Sequence, residues 1–229
     1  MTLTAPDRAL TYERDGAQHF PGVAKGCVQE LRAAFAHMPP ERAGVRLTDL
    51  PLHSGIFAAQ GMIGAVAASV LGSAARAVRA VYFDKSHQAN WSLDWHQDRV
   101  ICVQKRVDVA GFERWTTKAG LVHVSPPFEV LADMVTLRVH LDDVDDGNAP
   151  LLAAPGSHRF GKLSEADVPS TVRHCGVIAC LAQAGDVWLY STPILHSSTV
   201  SARPSRRRVL QLDYAASELP SGLKWQELT

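Results

Sequence analysis

The stretch 133-DMVTLRVHLDDV-144 alternates apolar and polar residues in the manner of a single β-strand. One face carries Val135, Leu137, Val139 and Leu141, and the other carries Thr136, Arg138 and His140. Such a polar face is either an ordinary solvated face or the lining of a site inside a barrel, and the alternation alone leaves both interpretations open.

The segments around this strand indicate a mainly β fold with flanking helices. From residue 76 onward the chain consists of short alternating runs, such as RAVRAVYFDKS and RRRVLQLDYA, separated by turn-forming stretches such as DDGNAP and APGSH. Before them, residues 22–38 and 55–75 have apolar patterns that predict two helices. We therefore expect one domain over residues 1–229, with a mostly helical part (1–75) and a barrel or sandwich core (76–229).

Composition limits the class of protein and its partners. The 229 residues carry 23 basic and 23 acidic side chains, so nothing favours nucleic acid or an anionic membrane as partner. The first residues lack the basic and apolar runs of a signal peptide, and the four cysteines form no CxxC pair. We expect a cytoplasmic protein, a monomer or small homo-oligomer, whose partner is a small-molecule substrate.

A possible metal site begins in WSLDWHQDRV (91–100), where His96 and Asp98 are two residues apart and point to the same side of an extended chain. Such a pair is more often a surface or hydrogen-bonded pair, so a third ligand is needed. Among the histidines of the second half, His196 in GDVWLYSTPILHSS (185–198) stands out, because it follows a predicted strand and a turn. Two histidines and one carboxylate on one side of an ion suit non-haem Fe(II) chemistry with O2.

Several ordered motifs together resemble the phytanoyl-CoA dioxygenase family. They are WHQD (95–98), LDDVDDGNAPLLAAPGSHR (141–159), and ILHSS followed by an arginine 11 residues after the histidine. The resemblance extends from RDGAQHFPGVA (14–24) to RRRVLQLDYA (206–215), and departs from the family at GNAPL, where Ala149 stands in a turn. It implies a double-stranded β-helix, a cupin-like jelly roll, that uses Fe(II), 2-oxoglutarate as cosubstrate, and O2.

The resemblance also implies roles for individual residues. His96, Asp98 and His196 match the family's iron ligands, and no catalytic residue is expected beyond them. A guanidinium suits the far carboxylate of 2-oxoglutarate. The resemblance assigns that role to Arg207, which stands at the family's spacing, 11 residues after His196 and seven before Tyr214. Its neighbours Arg206 and Arg208 would face the other way on a strand. The other expected cosubstrate contacts are Ser198, Arg138, Thr136 and Lys85.

Substrate contacts are predicted in two loops. In FDKSHQANW (83–91) the candidates are Gln88, Asn90 and Trp91. Residues 107–128 show no clear strand pattern and are interpreted as a lid loop, in which the candidates are Trp115, Lys118 and His123. For each of them, an ordinary loop or packing role is the alternative.

The function that the resemblance implies is hydroxylation of an unactivated C–H bond of a small metabolite, with release of succinate and CO2. Related halogenases have a small residue in place of the carboxylate ligand, so Asp98 favours oxygenation. Two alternatives remain open: a non-enzymatic metal- or ligand-binding jelly roll, and a zinc-dependent hydrolase or isomerase that uses the same three ligands.

Overall fold

The computed structural model describes residues 9–50, 54–201, 206–226 and 228. The strands are β1 (Ala17–Phe20), β2 (Gly44–Leu47), β3 (Arg76–Lys85), β4 (Leu93–His96), β5 (Ile101–Val103), β6 (Glu113–Lys118), β7 (Leu121–Ser125), β8 (Val135–His140), β9 (Leu151–Ala153), β10 (Ile178–Cys180), β11 (Val187–Ser191), β12 (His196–Ser198) and β13 (Arg207–Ala215). The α-helices are α1 (Tyr12–Asp15), α2 (Val28–Ala34), α3 (Gly64–Leu71), α4 (Phe128–Ala132) and α5 (Val168–Cys175). Short 3-10 turns lie at Ser54–Ile56, Asp146–Asn148 and Ser157–Phe160.

Two antiparallel sheets form the jelly roll. The larger has the strand order β1-β11-β8-β13-β3-β2 and the smaller has the order β10-β9-β12-β4. Side chains from both sheets, including Trp188 of β11 and Leu151 of β9, share one buried cluster, so the two sheets face each other. This arrangement confirms the expected mainly β, cupin-like fold.

Strand β8 shows why the larger sheet has two different faces. Its apolar face, Val135 to Leu141, lies in the same core cluster as Leu31 and Phe35 from the α2 region and Val66 of α3. Its polar face is also buried, with Arg138 and His140 turned away from the helices. The polar residues therefore point into the space between the sheets and are not a solvated face.

The prediction of a mostly helical N-terminal part is wrong. Helices α2 and α3 cover only parts of the two predicted segments, and β1 and β2 from this region are the edge strands of the larger sheet. Two glycines explain why α3 is shorter than the helix predicted over residues 55–75. A Cβ on Gly61 or Gly64 would lie within about 2 Å of a backbone oxygen, so the chain folds tightly on itself before α3 begins. Among the described residues, no helix is long and apolar enough to cross a membrane.

Residues 107–128 form a hairpin and are not the irregular loop that the sequence suggested. Strands β6 and β7 turn at Ala119 and Gly120, both with positive φ, and β7 also pairs with β5 in a third sheet. Val124 of β7 packs into a separate core cluster. The strand β6 was hidden because it is an edge strand whose side chains are mostly exposed and polar.

Candidate metal and cosubstrate site

The three predicted metal ligands converge between the sheets. His96 and His196 are direct partners in the antiparallel pairing of β4 with β12, and Asp98 follows two residues after the end of β4. One ligand atom from each of the three side chains lies within 4.8 Å of the others. That spacing is short enough for a single ion to contact all three.

Backbone hydrogen bonds orient both imidazoles for metal binding. Nδ1 of His96 lies 2.7 Å from the carbonyl oxygen of Asp94, and Nδ1 of His196 lies 3.0 Å from that of Ile194. A carbonyl only accepts, so each Nδ1 carries the proton and each Nε2 keeps its lone pair for a metal. The buried Oδ2 atom of Asp98 has no hydrogen-bond partner among the described residues, as expected of a carboxylate oxygen that ligates a metal. The residues therefore fit a divalent ion such as Fe(II).

Burial keeps His196 neutral and neighbouring positive charges keep Asp98 ionised, which are the protonation states that bind a metal. Burial lowers the pKa of His196 to about 4, so its imidazole is neutral at pH 7. Burial would raise the pKa of Asp98, but the neighbouring His196, Arg79 and His96 bring it below its usual value. Asp98 is thus a carboxylate, as a metal ligand must be.

A cavity of about 150 Å³ adjoins the cluster and contains the predicted anchor for 2-oxoglutarate. Arg207 lines it and is only 2% exposed. One guanidinium nitrogen donates to the carbonyl oxygen of Ala149, while Nε has no partner. Burial and the nearby Arg138 lower the pKa of Arg207 to about 9. The cavity therefore contains a buried cationic side chain that forms no ion pair with the described residues.

The neighbours of Arg207 face the opposite side of β13. Arg206 pairs with Asp84, and Arg208 pairs with Asp142, each at 2.7 Å. This alternation leaves Arg207 as the one arginine of the RRR run that points into the cavity.

Lys85 and Ser198 are hydrogen-bonded to each other, but only Ser198 lines the cavity. The Lys85 ammonium donates to the carbonyls of Trp91 (2.7 Å) and Thr199 (2.6 Å), and to the Ser198 hydroxyl (3.3 Å). Ser198 lines the cavity directly, with the lysine behind it. Burial, together with Arg207 and Arg138, lowers the pKa of Lys85 to about 7.

Arg138 lies on the cavity wall between the metal ligands and Arg207. Its guanidinium donates to Gln211 Oε1 at 2.8 Å and lies over the ring of Phe83, 5.3 Å from the centroid. Its Nε is buried and unpaired. Thr136, on the same strand face, does not line the cavity, because its hydroxyl bonds to Asp213 and Thr192, each at 3.1 Å.

Of the candidate substrate contacts before the ligand motif, only Trp91 reaches the cavity. Its ring stacks on Phe83 at 6.3 Å. Asn90 instead joins two loops, since its amide exchanges hydrogen bonds of 3.1 and 2.8 Å with the backbone of Ser201. Gln88 is exposed on the surface.

The structure does not bring the three hairpin candidates to the cavity. Trp115 packs beside the separate core of the third sheet, under the guanidinium of Arg106 at 5.6 Å. Lys118 is exposed at the tip of β6. His123 is buried, with Nδ1 bonded to the carbonyl of Leu121 at 3.0 Å. Because β7 pairs with both β5 and β6, the segment is tied into the third sheet, and none of the three candidates lines the cavity.

Sequence reasoning missed a buried ion pair beside the metal cluster. Arg79 of β3 bonds to Asp213 of β13 at 2.7 Å, with side chains 11% and 2% exposed, and Arg79 lines the cavity with Asp98. The alternation of side chains along a strand could have indicated these residues. Gln211 and Asp213 lie two and three periods of that alternation away on the same face as Arg207, so Gln211 was predictable as a cavity residue and Asp213 as a buried carboxylate.

Comparison with known proteins supports this fold and identifies the family. Similar folds occur in HygX from Streptomyces hygroscopicus, solved with nickel and 2-oxoglutarate bound (17% identity, TM-score 0.61, covering 91% of this chain and 88% of that chain). They also occur in EctD from S. alaskensis with bound Fe (19%, 0.60, 93% and 79%) and in SnoN, a non-haem alpha-ketoglutarate-dependent epimerase from nogalamycin biosynthesis (19%, 0.60, 90% and 80%). No curated protein matches the sequence. The sequence model of the phytanoyl-CoA dioxygenase (PhyH) family matches residues 12–209, and the chain therefore belongs to that family of Fe(II)- and 2-oxoglutarate-dependent oxygenases.

Proposed function

We propose that this protein is an Fe(II)- and 2-oxoglutarate-dependent dioxygenase that hydroxylates an unactivated C–H bond of a free small metabolite and releases succinate and CO2. The observation that carries the proposal is one cavity that contains both a three-ligand metal cluster and the buried guanidinium of Arg207, which forms no ion pair with the described residues. The first feature suits Fe(II), and the second suits the far carboxylate of 2-oxoglutarate.

Each group in the cavity has a role in this proposal. Nε2 of His96, Nε2 of His196 and a carboxylate oxygen of Asp98 would hold the iron. Bound iron with 2-oxoglutarate supplies the activation of O2 and the abstraction of a hydrogen atom. Arg207 and the Ser198 hydroxyl would bind the far carboxylate, which offsets the cost of the buried guanidinium charge.

Apolar side chains form part of the cavity wall: Phe83, Trp91, Leu93 and Leu151. Where bound ligands displace water from such a wall, the electrostatic contacts inside are strengthened and reactive species are protected from solvent.

Hydroxylation is the finer part of the proposal, because SnoN carries out epimerisation on a similar fold. Both outcomes begin by removing hydrogen from carbon, so product analysis must separate them. A hydroxylase adds one oxygen atom to its substrate, whereas an epimerase returns a product of unchanged mass.

The test begins with anaerobic addition of Fe(II) and 2-oxoglutarate. We expect a weak visible charge-transfer band, then succinate release and O2 uptake in a screen of amino acids, acyl conjugates and natural-product intermediates. A band with no succinate from any substrate would favour a non-enzymatic binding protein. Zinc-dependent turnover without 2-oxoglutarate would favour a hydrolase or isomerase, in which Arg207 would have no evident purpose.

A further inference from the structure

A second and larger cleft, of about 990 Å³, lies beside the metal cavity. We name it the β4–α5 cleft; it is lined by Leu93, Trp95, His96, Arg99, Glu165 and Arg173, among others. Leu93 and His96 line both the cleft and the metal cavity. Strand β4 is an edge strand of the smaller sheet, so the two spaces meet along its free edge.

The two spaces differ in volume and therefore suit ligands of different size. The volume of the metal cavity, about 150 Å³, equals that of about five water molecules at roughly 30 Å³ each. One small dicarboxylate together with the ion would therefore fill it. The β4–α5 cleft falls in the usual range for pockets that enclose a drug-sized ligand, roughly 300–1,000 Å³. The cleft, which borders the metal ligand His96, therefore has room for a larger molecule than the metal cavity has.

The floor of the cleft is apolar. Trp95 packs against the buried cluster that contains Val168 and Val172 of α5, so its indole is held as a rigid wall. Leu93 is 48% exposed, so its side chain is accessible to a molecule in the cleft. An apolar body that covers Leu93 and Trp95 would gain hydrophobic free energy close to the reacting centre.

The charged residues of the cleft balance. Asp94 and Glu165 carry negative charge, and Arg99 and Arg173 carry positive charge. One guanidinium nitrogen of Arg99 already donates to the carbonyl of Leu163, at 2.6 Å. A site for several phosphates would need an excess of cations, as a coenzyme A thioester requires. The cleft has no such excess among its lining residues.

We propose that the β4–α5 cleft binds the primary substrate, and that this substrate is an amphipathic molecule of no net charge, with an apolar body and a zwitterionic or neutral polar end. This inference rests on the proposed function and adds the substrate class. It excludes acyl-CoA thioesters as the favoured substrates of this chain.

Binding of three probes with the same apolar body tests the charge preference. The probes are octanoyl-L-carnitine, octanoate and octanoyl-CoA, titrated anaerobically into protein loaded with Fe(II) and 2-oxoglutarate, with calorimetry and tryptophan fluorescence as readouts. We expect octanoyl-L-carnitine to bind at least tenfold more tightly than octanoyl-CoA. We also expect it to change a fluorescence component that the Trp95→Phe variant lacks.

Charge variants on the cleft sharpen the test. Glu165→Arg makes the lining net positive, so octanoate should bind about two- to fivefold more tightly, the range of exposed charge pairs. Lys105→Glu is the matched control, because Lys105 is exposed and does not line the cleft, and it should leave all three affinities unchanged. Both side chains are exposed, so neither variant should disturb folding.

The outcomes separate this inference from the proposed function. If the charge-transfer band does not form, the proposed function fails. If the band forms but no probe binds, or octanoyl-CoA binds as tightly as octanoyl-L-carnitine, the substrate class is wrong while the oxygenase site stands. An unchanged fluorescence response in Trp95→Phe would refute the location in the cleft.

Discussion

Replacing Arg207 by methionine should stabilise the ligand-free protein and at the same time weaken its binding of 2-oxoglutarate. The guanidinium is buried, and among the described residues it forms no ion pair; its hydrogen bond goes to the neutral carbonyl of Ala149. Its charge is therefore taken from water without compensation by an anion.

The pKa of Arg207 sets the size of the effect. Burial and Arg138 lower it from the usual arginine value to about 9, and each pKa unit corresponds to about 1.36 kcal/mol, so burying the charge costs on the order of 5 kcal/mol. The pKa in the folded state lies below the pKa in the unfolded state. The cost is therefore complete below about pH 9 and disappears as the pH rises towards the pKa of a solvent-exposed arginine. After the lost hydrogen bond and packing are subtracted, we expect Arg207→Met to raise the free energy of unfolding at pH 7 by about 1–3 kcal/mol.

The same substitution removes a charged partner from the far carboxylate, which costs about 2–5 kcal/mol in comparable pairs and lowers affinity about 30-fold or more. Urea unfolding at pH 7, with and without 2-oxoglutarate, measures stability, and the anaerobic charge-transfer titration measures affinity. Arg208→Met is the control, because Arg208 faces away and pairs with Asp142; it should keep the affinity. The reasoning is refuted if Arg207→Met is less stable than the unmodified protein and binds 2-oxoglutarate with unchanged affinity.

Three further predictions follow from the same cavity. Asp98→Ala should abolish Fe(II) binding, measured by equilibrium dialysis. Asp94→Ala should keep it, because the hydrogen bond from His96 goes to the backbone carbonyl of Asp94, which the substitution retains. Equal Fe(II) binding by both variants would show that Asp98 is not a ligand. Arg79→Met should cost about 3–5 kcal/mol of unfolding free energy, because it leaves Asp213 buried and unpaired, while the double variant with Asp213→Leu should recover most of that loss in chemical denaturation. The Lys85 pKa of about 7 lies below that of a free lysine, so stability should rise between pH 7 and 10 as the folded protein releases this proton first; a Lys85→Met variant that still shows the full rise would contradict this.

Local patterns in the sequence were sufficient for much of the site. The i, i+2 spacing of His96 and Asp98 predicts a common side, and the alternation along β13 predicts that Arg207 faces away from its two arginine neighbours. Both patterns depend only on the two-residue period of an extended chain, so they can be read without knowing what packs nearby. The ordered motifs then identified the family, which the match over residues 12–209 confirms.

The predictions that failed concern segments whose structure depends on distant partners. Residues 113–118 are polar on both faces, and they form a strand because β7 offers its edge. The N-terminal segments have apolar helical spacing, but close backbone contacts at Gly61 and Gly64 shorten the helix. Propensity is a weak guide where tertiary contacts supply most of the energy.

The sequence by itself determined which side chains share a face, because that follows from backbone periodicity. Only the tertiary structure decided which faces are buried and which distant residues meet. The register of β4 with β12 brings His196 opposite His96, a hundred positions earlier in the chain, and the pairing of β13 with β3 places Asp213 beside Arg79. Such contacts between distant segments depend on how whole sheets pack, so no local pattern specifies them.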